Sequence, residues 1–134
     1  MRFLFLYAAI MAGNYMWQDA PKPAGDKTAA APADAAKVNP TKPTPVSLAS
    51  GKKTYGTDCA MCHGKTGAGD GDLATDMKLS LKDYRNPDSL KDISDGEIFA
   101  VIEKGKGQMS GEEGRLKAPQ IWDLVNYVRS FSKK

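Results

Sequence analysis

The sequence predicts a small all-α domain over residues 45–134, with three main helices joined by glycine-rich loops. Three observations carry this expectation. Helix-start signals at Thr44, Ser94 and Pro119 each precede apolar residues at helical spacing. Gly67, Gly69 and Gly71 interrupt the stretch between the first two of these segments. No segment alternates apolar and polar residues for long enough to read as a strand.

The first helix is expected to open at TPVS, with Thr44 as N-cap and Pro45 at the first helical position. It should run to about Cys59, with Leu48, Gly51 and Tyr55 along one side. The second carries a capping box, Ser94 followed three residues later by Glu97, ahead of Ile98, Phe99, Val101 and Ile102. Gly105 should end it. The third starts near Pro119 and spreads Ile121, Trp122, Leu124, Val125, Tyr127, Val128 and Phe131 over a broad apolar face.

Ahead of this domain the composition changes twice. Residues 1–17, MRFLFLYAAIMAGNYMW, place Arg2 before an apolar run from Phe3 to Ala12, the length of a secretory hydrophobic region. No convincing small-x-small cleavage site follows. Taken as one helix from Phe3 to Trp17, the segment would reach roughly 22 Å at 1.5 Å per residue. A bilayer core is about 30 Å thick, and Tyr15 and Trp17 would suit its interface. A signal peptide and an N-terminal membrane anchor are both open readings, with a buried N-terminal helix as the third. Residues 18–44 hold five prolines among Ala, Lys, Asp and Thr, and Val38 is their single large aliphatic. Such a segment does not bury enough apolar surface to offset its ordering entropy, so a flexible Ala/Pro-rich linker is expected.

The formal net charge is +3, and in residues 45–134 fourteen Lys and Arg stand against thirteen Asp and Glu. No basic run with interleaved aromatics exists, so no nucleic-acid partner is expected. The two cysteines are too close in sequence to staple distant segments. A domain this small buries a marginal core and commonly gains from a bound metal, cofactor or disulfides.

Both cysteines and the one histidine of the chain fall within CAMCH, residues 59–63. C-x-x-C-H is the spacing of covalent haem attachment: Cys59 and Cys62 can form thioethers with the two vinyl groups, and His63 reaches the iron. A zinc site would need a further pair of ligands, and the chain has no other Cys or His. A thioredoxin-like pair would need a βαβ setting that the helical pattern denies. For the second axial position the candidates are Met109 and Met77, since Met61 sits inside the attachment loop. Met109 lies in EKGKGQMSGEEGRL, a polar, glycine-rich loop where core packing is a weak explanation for a methionine. A neutral thioether there would favour ferrous iron.

These residues resemble the class I mono-haem c-type cytochrome family, on CAMCHG, GAGDGDLA, SDGEIFAVIEKGKGQM and IWDLVNYVRSF, over residues 46–131. The resemblance implies a small cytochrome c fold of three main helices around one covalent haem c, with His63 as proximal and Met109 as distal ligand. It also implies that Gly51 and Tyr55 sit where the N-terminal helix crosses the C-terminal helix near Leu124 and Tyr127. Tyr84, Arg85 and Trp122 are the candidates for contact with the haem propionates. The family commonly has Pro directly after the distal Met, where this chain has Ser110, which implies a looser ligand loop.

Two protein ligands leave iron no open position, so the expected function is single-electron transfer by a periplasmic or membrane-tethered carrier, not an enzyme. Its partners would be donor and acceptor redox proteins, with Lys65, Lys104 and Lys106 available to steer an acidic one. A bound cytochrome subunit of a membrane redox or photosynthetic complex is the alternative. A haem peroxidase or gas sensor is a third reading, weakened because no second histidine is present as acid or base. Covalent haem attachment in bacteria belongs to an exported compartment, which agrees with the leader.

Overall fold

The computed structural model describes residues 32–133; the expectations for residues 1–17 and for the first part of the linker lie outside them. Six α-helices occur in this span: α1 Pro32–Ala35, α2 Pro45–Asp58, α3 Ala60–His63, α4 Asp72–Asp76, α5 Asp95–Lys104 and α6 Ala118–Ser130. Short 3-10 turns at Pro87–Ser89 and Phe131–Lys133 complete the helical structure. The three long helices are those expected.

Their ends follow local chemistry. Thr44 Oγ1 accepts from the backbone N–H of Ser47 at 3.2 Å, and Pro45 fills the first helical position of α2. At α5 the Glu97 N–H donates to Ser94 Oγ while the Ser94 N–H donates to the Glu97 carboxylate at 2.7 Å. Gly105, at φ 81°, ends that helix in a region glycine enters without cost. At the start of α6 the Gln120 side chain accepts from the Lys117 N–H at 3.0 Å.

Helices α2 and α6 cross in direct backbone contact. A Cβ added at Gly51 would lie 2.2 Å from the carbonyl oxygen of Asp123 and 2.8 Å from Tyr127 Cβ. The buried stripe of α2 is Ser47, Gly51 and Tyr55, every fourth residue, while Leu48 is only half-buried. Around the crossing, the rings of Tyr55, Tyr127 and Phe131 meet edge to face at 4.9–5.3 Å. Leu124 and Val125 are 0% exposed and mark the centre of the core, which Ile98, Phe99, Ile102, Ile121 and Trp122 extend toward α5.

Two expectations differ from what the structure shows. A strand pair exists: β1 Gly105–Lys106 and β2 Met109–Ser110 form a minimal antiparallel ladder, with Gly105 opposite Ser110 and Lys106 opposite Met109. Two residues a side are too few to leave an alternating pattern. The second difference concerns residues 32–44, expected in the flexible linker. They lie as a strap across α5 and α6. Asp34 is buried, with its carboxylate 2.7 Å from Lys104 Nζ and 2.9 Å from Lys37 Nζ. Ser94 Oγ donates to the Ala35 carbonyl at 2.9 Å. Asn39 Nδ2 donates to Asn126 Oδ1, and Asn126 Nδ2 in turn donates to the Thr41 carbonyl and Ser47 Oγ. The backbone approaches α5 this closely because Gly96 has no side chain: a Cβ there would lie 2.0 Å from the Asp34 carbonyl oxygen. Polar and charged contacts, rather than apolar burial, order this segment.

Candidate functional site

Cys59 closes α2 and opens α3. Its N–H donates to the Tyr55 carbonyl at 3.0 Å, while its own carbonyl accepts from Cys62 and His63 at 3.2 and 2.9 Å. This single helical turn puts Cys59, Cys62 and His63 at i, i+3 and i+4, the spacing that sets side chains on one helix face. Gly64 stops the turn, and its carbonyl accepts from Tyr55 Oη at 2.8 Å, joining the attachment segment to the α2–α6 crossing. The glycine-rich loop then folds back: Gly69 N–H donates to the His63 carbonyl and Gly71 N–H to that of Cys62, at 2.9 and 3.1 Å. The terminal carbonyls of α3, which have no helical partner, are satisfied in this way.

Cys59, Cys62 and His63 are all half-buried. Burial pushes the Cys59 thiol up to about 12, helped by the carboxylates of Asp58 and Glu112. The thiol is therefore held neutral, which disfavours thiolate metal binding and thiol–disulfide redox chemistry there. Burial also moves His63 below its ordinary value, so the imidazole is neutral near pH 7 with a lone pair free for a metal. Its Nδ1 is buried without a hydrogen-bond partner, and its ring stacks on Tyr84 at 5.2 Å and 23°. Among the described residues no group of three or more His, Cys, Asp and Glu side chains is arranged to hold a bare metal ion. One neutral imidazole, two cysteines on the same turn and a thioether packed against the same core fit covalent haem better than any naked ion.

Met109 is the candidate for that thioether. It is half-buried and packs against the core together with Cys59, Ala60 and Tyr84. Met61 and Met77 are 60% and 46% exposed, which separates them from Met109 as candidates. The Met109 hairpin is tied to the last turn of α5 by Glu112 N–H to the Ile102 carbonyl and Glu113 N–H to that of Glu103, both at 2.9 Å.

The remaining candidates are placed as follows. Gly51, Tyr55 and Tyr127 lie at the helix crossing, with the Tyr55 hydroxyl extending to the attachment turn. Trp122 is buried against Phe99, ring centroids 4.3 Å apart. Tyr84 covers His63, its phenol pushed up to about 12 by burial. Arg85 is turned onto Asp83, donating from Nε and Nη2 at 2.9 and 2.8 Å. Of the lysines considered for steering, Lys104 is engaged by buried Asp34, whereas Lys65 and Lys106 are exposed. Sequence reasoning missed Arg115, which sits between Asp58 and Glu112 at 3.1 Å from each. Only the Glu112–Arg115 spacing of three was available to find it, and that spacing is common in any turn.

A family model described as cytochrome c oxidase, cbb3-type, subunit III matches residues 46–128. Cytochrome c6 of Pyropia tenera is 33% identical over 87 residues, which make up 65% of this chain and 95% of that protein. The cbb3-type cytochrome c oxidase subunit FixP of Bradyrhizobium sp. (strain ORS 278) is 35% identical over 90 residues, 63% of this chain but only 30% of FixP. Among solved structures, the KustC0563 c-type cytochrome superposes with a TM-score of 0.54 at 27% identity, covering 60% of this chain and 95% of that one. A chain of the Kuenenia stuttgartiensis reducing HAO-like protein complex Kustc0457/Kustc0458 gives 0.57 at 26% identity, over 69% of this chain and 46% of that one.

Proposed function

We propose that this chain, which belongs to the class I mono-haem c-type cytochrome family, carries single electrons through one haem c held by Cys59, Cys62, His63 and Met109. Membership alone makes it an electron-carrying c-type cytochrome of small all-α fold. The finer reading rests on one observation: of the three methionines that follow residue 32, Met109 is the one packed against the core cluster, against which Cys59 also packs, while Met61 and Met77 are exposed. When bound, haem supplies an iron that gains or loses one electron without a substrate bond being made or broken. Cys59 and Cys62 anchor it as thioethers, His63 offers a neutral imidazole, and Met109 offers a soft, uncharged sulfur that favours the ferrous state. The apolar side chains of α5 and α6 keep water from the core side of the site.

The attachment chemistry and the apolar leader support an exported, periplasmic location, either free or tethered through the N-terminus. No described helix is long and apolar enough to cross a membrane. The partners are redox proteins, donor and acceptor. A second reading, a bound cytochrome subunit of a membrane redox complex, draws support from the oxidase family model and the FixP similarity. Release from membranes by a mild salt wash separates the carrier from the bound subunit.

The ligand assignment is tested by the absorption spectrum of the purified holoprotein, oxidised and reduced, with and without CO. A low-spin c-type spectrum with a methionine–iron charge-transfer band and no CO response is expected. A readily formed CO adduct in the wild-type protein would sink the His63–Met109 assignment and favour gas binding or peroxide chemistry.

A further inference from the structure

Residues that flank the two halves of the site carry a charge arrangement that the function above does not use. Asp58 immediately precedes Cys59, and Glu112 lies three residues after Met109. Arg115 bridges them: Nη2 is 3.1 Å from Asp58 Oδ1 and Nε is 3.1 Å from Glu112 Oε2. Glu112 is 8% exposed, and Oε2 has no hydrogen bond of good geometry, so the ion pair with Arg115 is its compensation. The turn is held by Arg115 N–H and Leu116 N–H, both donating to the Glu112 carbonyl at 3.0 Å. The turn follows the Met109 hairpin directly in the chain, and Glu112 N–H to the Ile102 carbonyl ties it to the end of α5. Among the described residues, Asp58–Arg115 is the ion pair that joins the attachment side to the distal-ligand side.

We propose that Arg115 is a positioning residue: it locks the Met109 loop to the cysteine segment and balances the two carboxylates beside the cofactor. The inference rests on the His63–Met109 reading for its loop component but not for its charge component. The three groups sum to one negative charge. Loss of Arg115 leaves two, one of them on a largely buried carboxylate, and negative charge near a redox centre favours the oxidised state.

The test uses the full-length holoprotein and two readouts, the reduction potential and CO access to the ferrous protein. Arg115→Gln is expected to shift the ferrous/ferric balance toward ferric by several-fold, less than the roughly 15-fold that an unscreened unit charge about 10 Å away gives at an effective dielectric of about 20, because the Arg115 side chain is exposed. It is also expected to weaken the methionine–iron band and admit CO. Glu112→Gln should raise the potential. In Arg115→Gln/Glu112→Gln the local charge returns to that of the wild type, so the potential should return while CO access persists. Arg115→Lys should keep the potential near wild type, because the charge remains, yet admit CO, because a single ammonium bridges two carboxylates poorly. Lys91→Gln, which removes the same charge from an exposed pair with Asp88, is the control and should move neither readout.

The proposal is overturned if Arg115→Gln keeps the wild-type potential and stays silent to CO, or if Lys91→Gln shifts the potential as much. Should Arg115→Gln fail to accumulate, Asp58→Asn and Glu112→Gln still decide: each should raise the potential, and no change in either refutes the charge role. Failure of the functional reading is distinct, because it appears in the wild-type spectrum before any variant is made.

Discussion

Replacing Gly51 by alanine offers a sharp test of the helix crossing on which the site is mounted. In an isolated helix this change is favourable by about 1 kcal/mol, since alanine is the better helix former. Here the new methyl would lie 2.2 Å from the Asp123 carbonyl oxygen and 2.8 Å from Tyr127 Cβ. Neither neighbour is the free end of a flexible side chain, so α2 and α6 must separate by roughly 1 Å to reach ordinary contact distance. That movement opens the edge-to-face contacts of Tyr55, Tyr127 and Phe131 and pulls Tyr55 Oη from the Gly64 carbonyl. Overpacking costs about 1–3 kcal/mol, and the disturbed aromatic cluster and buried hydrogen bond add about 1–2 kcal/mol. After the propensity gain, a net loss of about 1–4 kcal/mol is expected, which lowers Tm by roughly 4–30 °C in a domain of this size. Gly56 lies on the same helix with nothing within 4 Å of its added Cβ. Gly56→Ala should therefore raise Tm by a few degrees, about 0.5–1 kcal/mol. Thermal unfolding of the two holoproteins, followed by far-UV circular dichroism, provides the comparison. If Gly51→Ala melts at or above the wild type, the backbone contact between α2 and α6 is not as described.

At the ligand loop, Met109→Ala is expected to lower the reduction potential and open the ferrous protein to CO, whereas Met77→Ala should do neither; the reverse pattern in CO titration transfers the ligand role to Met77. Deleting residues 1–44 strips Asn126 of its Asn39 and Thr41 partners and uncovers Gly96, so denaturant unfolding should show a loss of about 1–3 kcal/mol; an unchanged midpoint would restore the linker reading for residues 32–44. Asp34 gives a pH signature. Lys104 and then Lys37 hold its folded carboxyl near 2, below the ordinary 3.8, so its contribution to stability is present above about pH 4 and is lost as pH falls through about 2. Acid melts of Asp34→Asn should therefore lack part of the wild-type decline between about pH 4 and 2, and a superimposable profile would remove Asp34 from the account.

Much of the fold was legible because it is locally encoded. Thr44 with Pro45, and Ser94 with Glu97, place helix starts by satisfying N–H groups within three residues of themselves. The apolar face from Ile121 to Phe131 repeats at helical period and is buried almost residue for residue. The strap was not legible for the opposite reason. Its sequence is poor in apolar surface, and what orders it is Asp34 with Lys104, Ala35 with Ser94 and Asn39 with Asn126, partners 59–87 residues away. The strand pair at Met109 was missed because four residues carry no period.

The sequence by itself determined the chemistry: five consecutive residues hold the cysteines and the histidine at helical spacing, and a single turn suffices to present them together. It also determined where the long helices begin and end. The tertiary structure alone decided which methionine packs against the core, that Lys104 is held by Asp34, and that Arg115 joins Asp58 to Glu112. The division has a physical cause. Capping and helical spacing act over three or four bonds of the ladder and leave a pattern in the chain. Burial and ion pairing between residues tens of positions apart depend on how the helices cross, and at Gly51 that crossing turns on the absence of one methyl group.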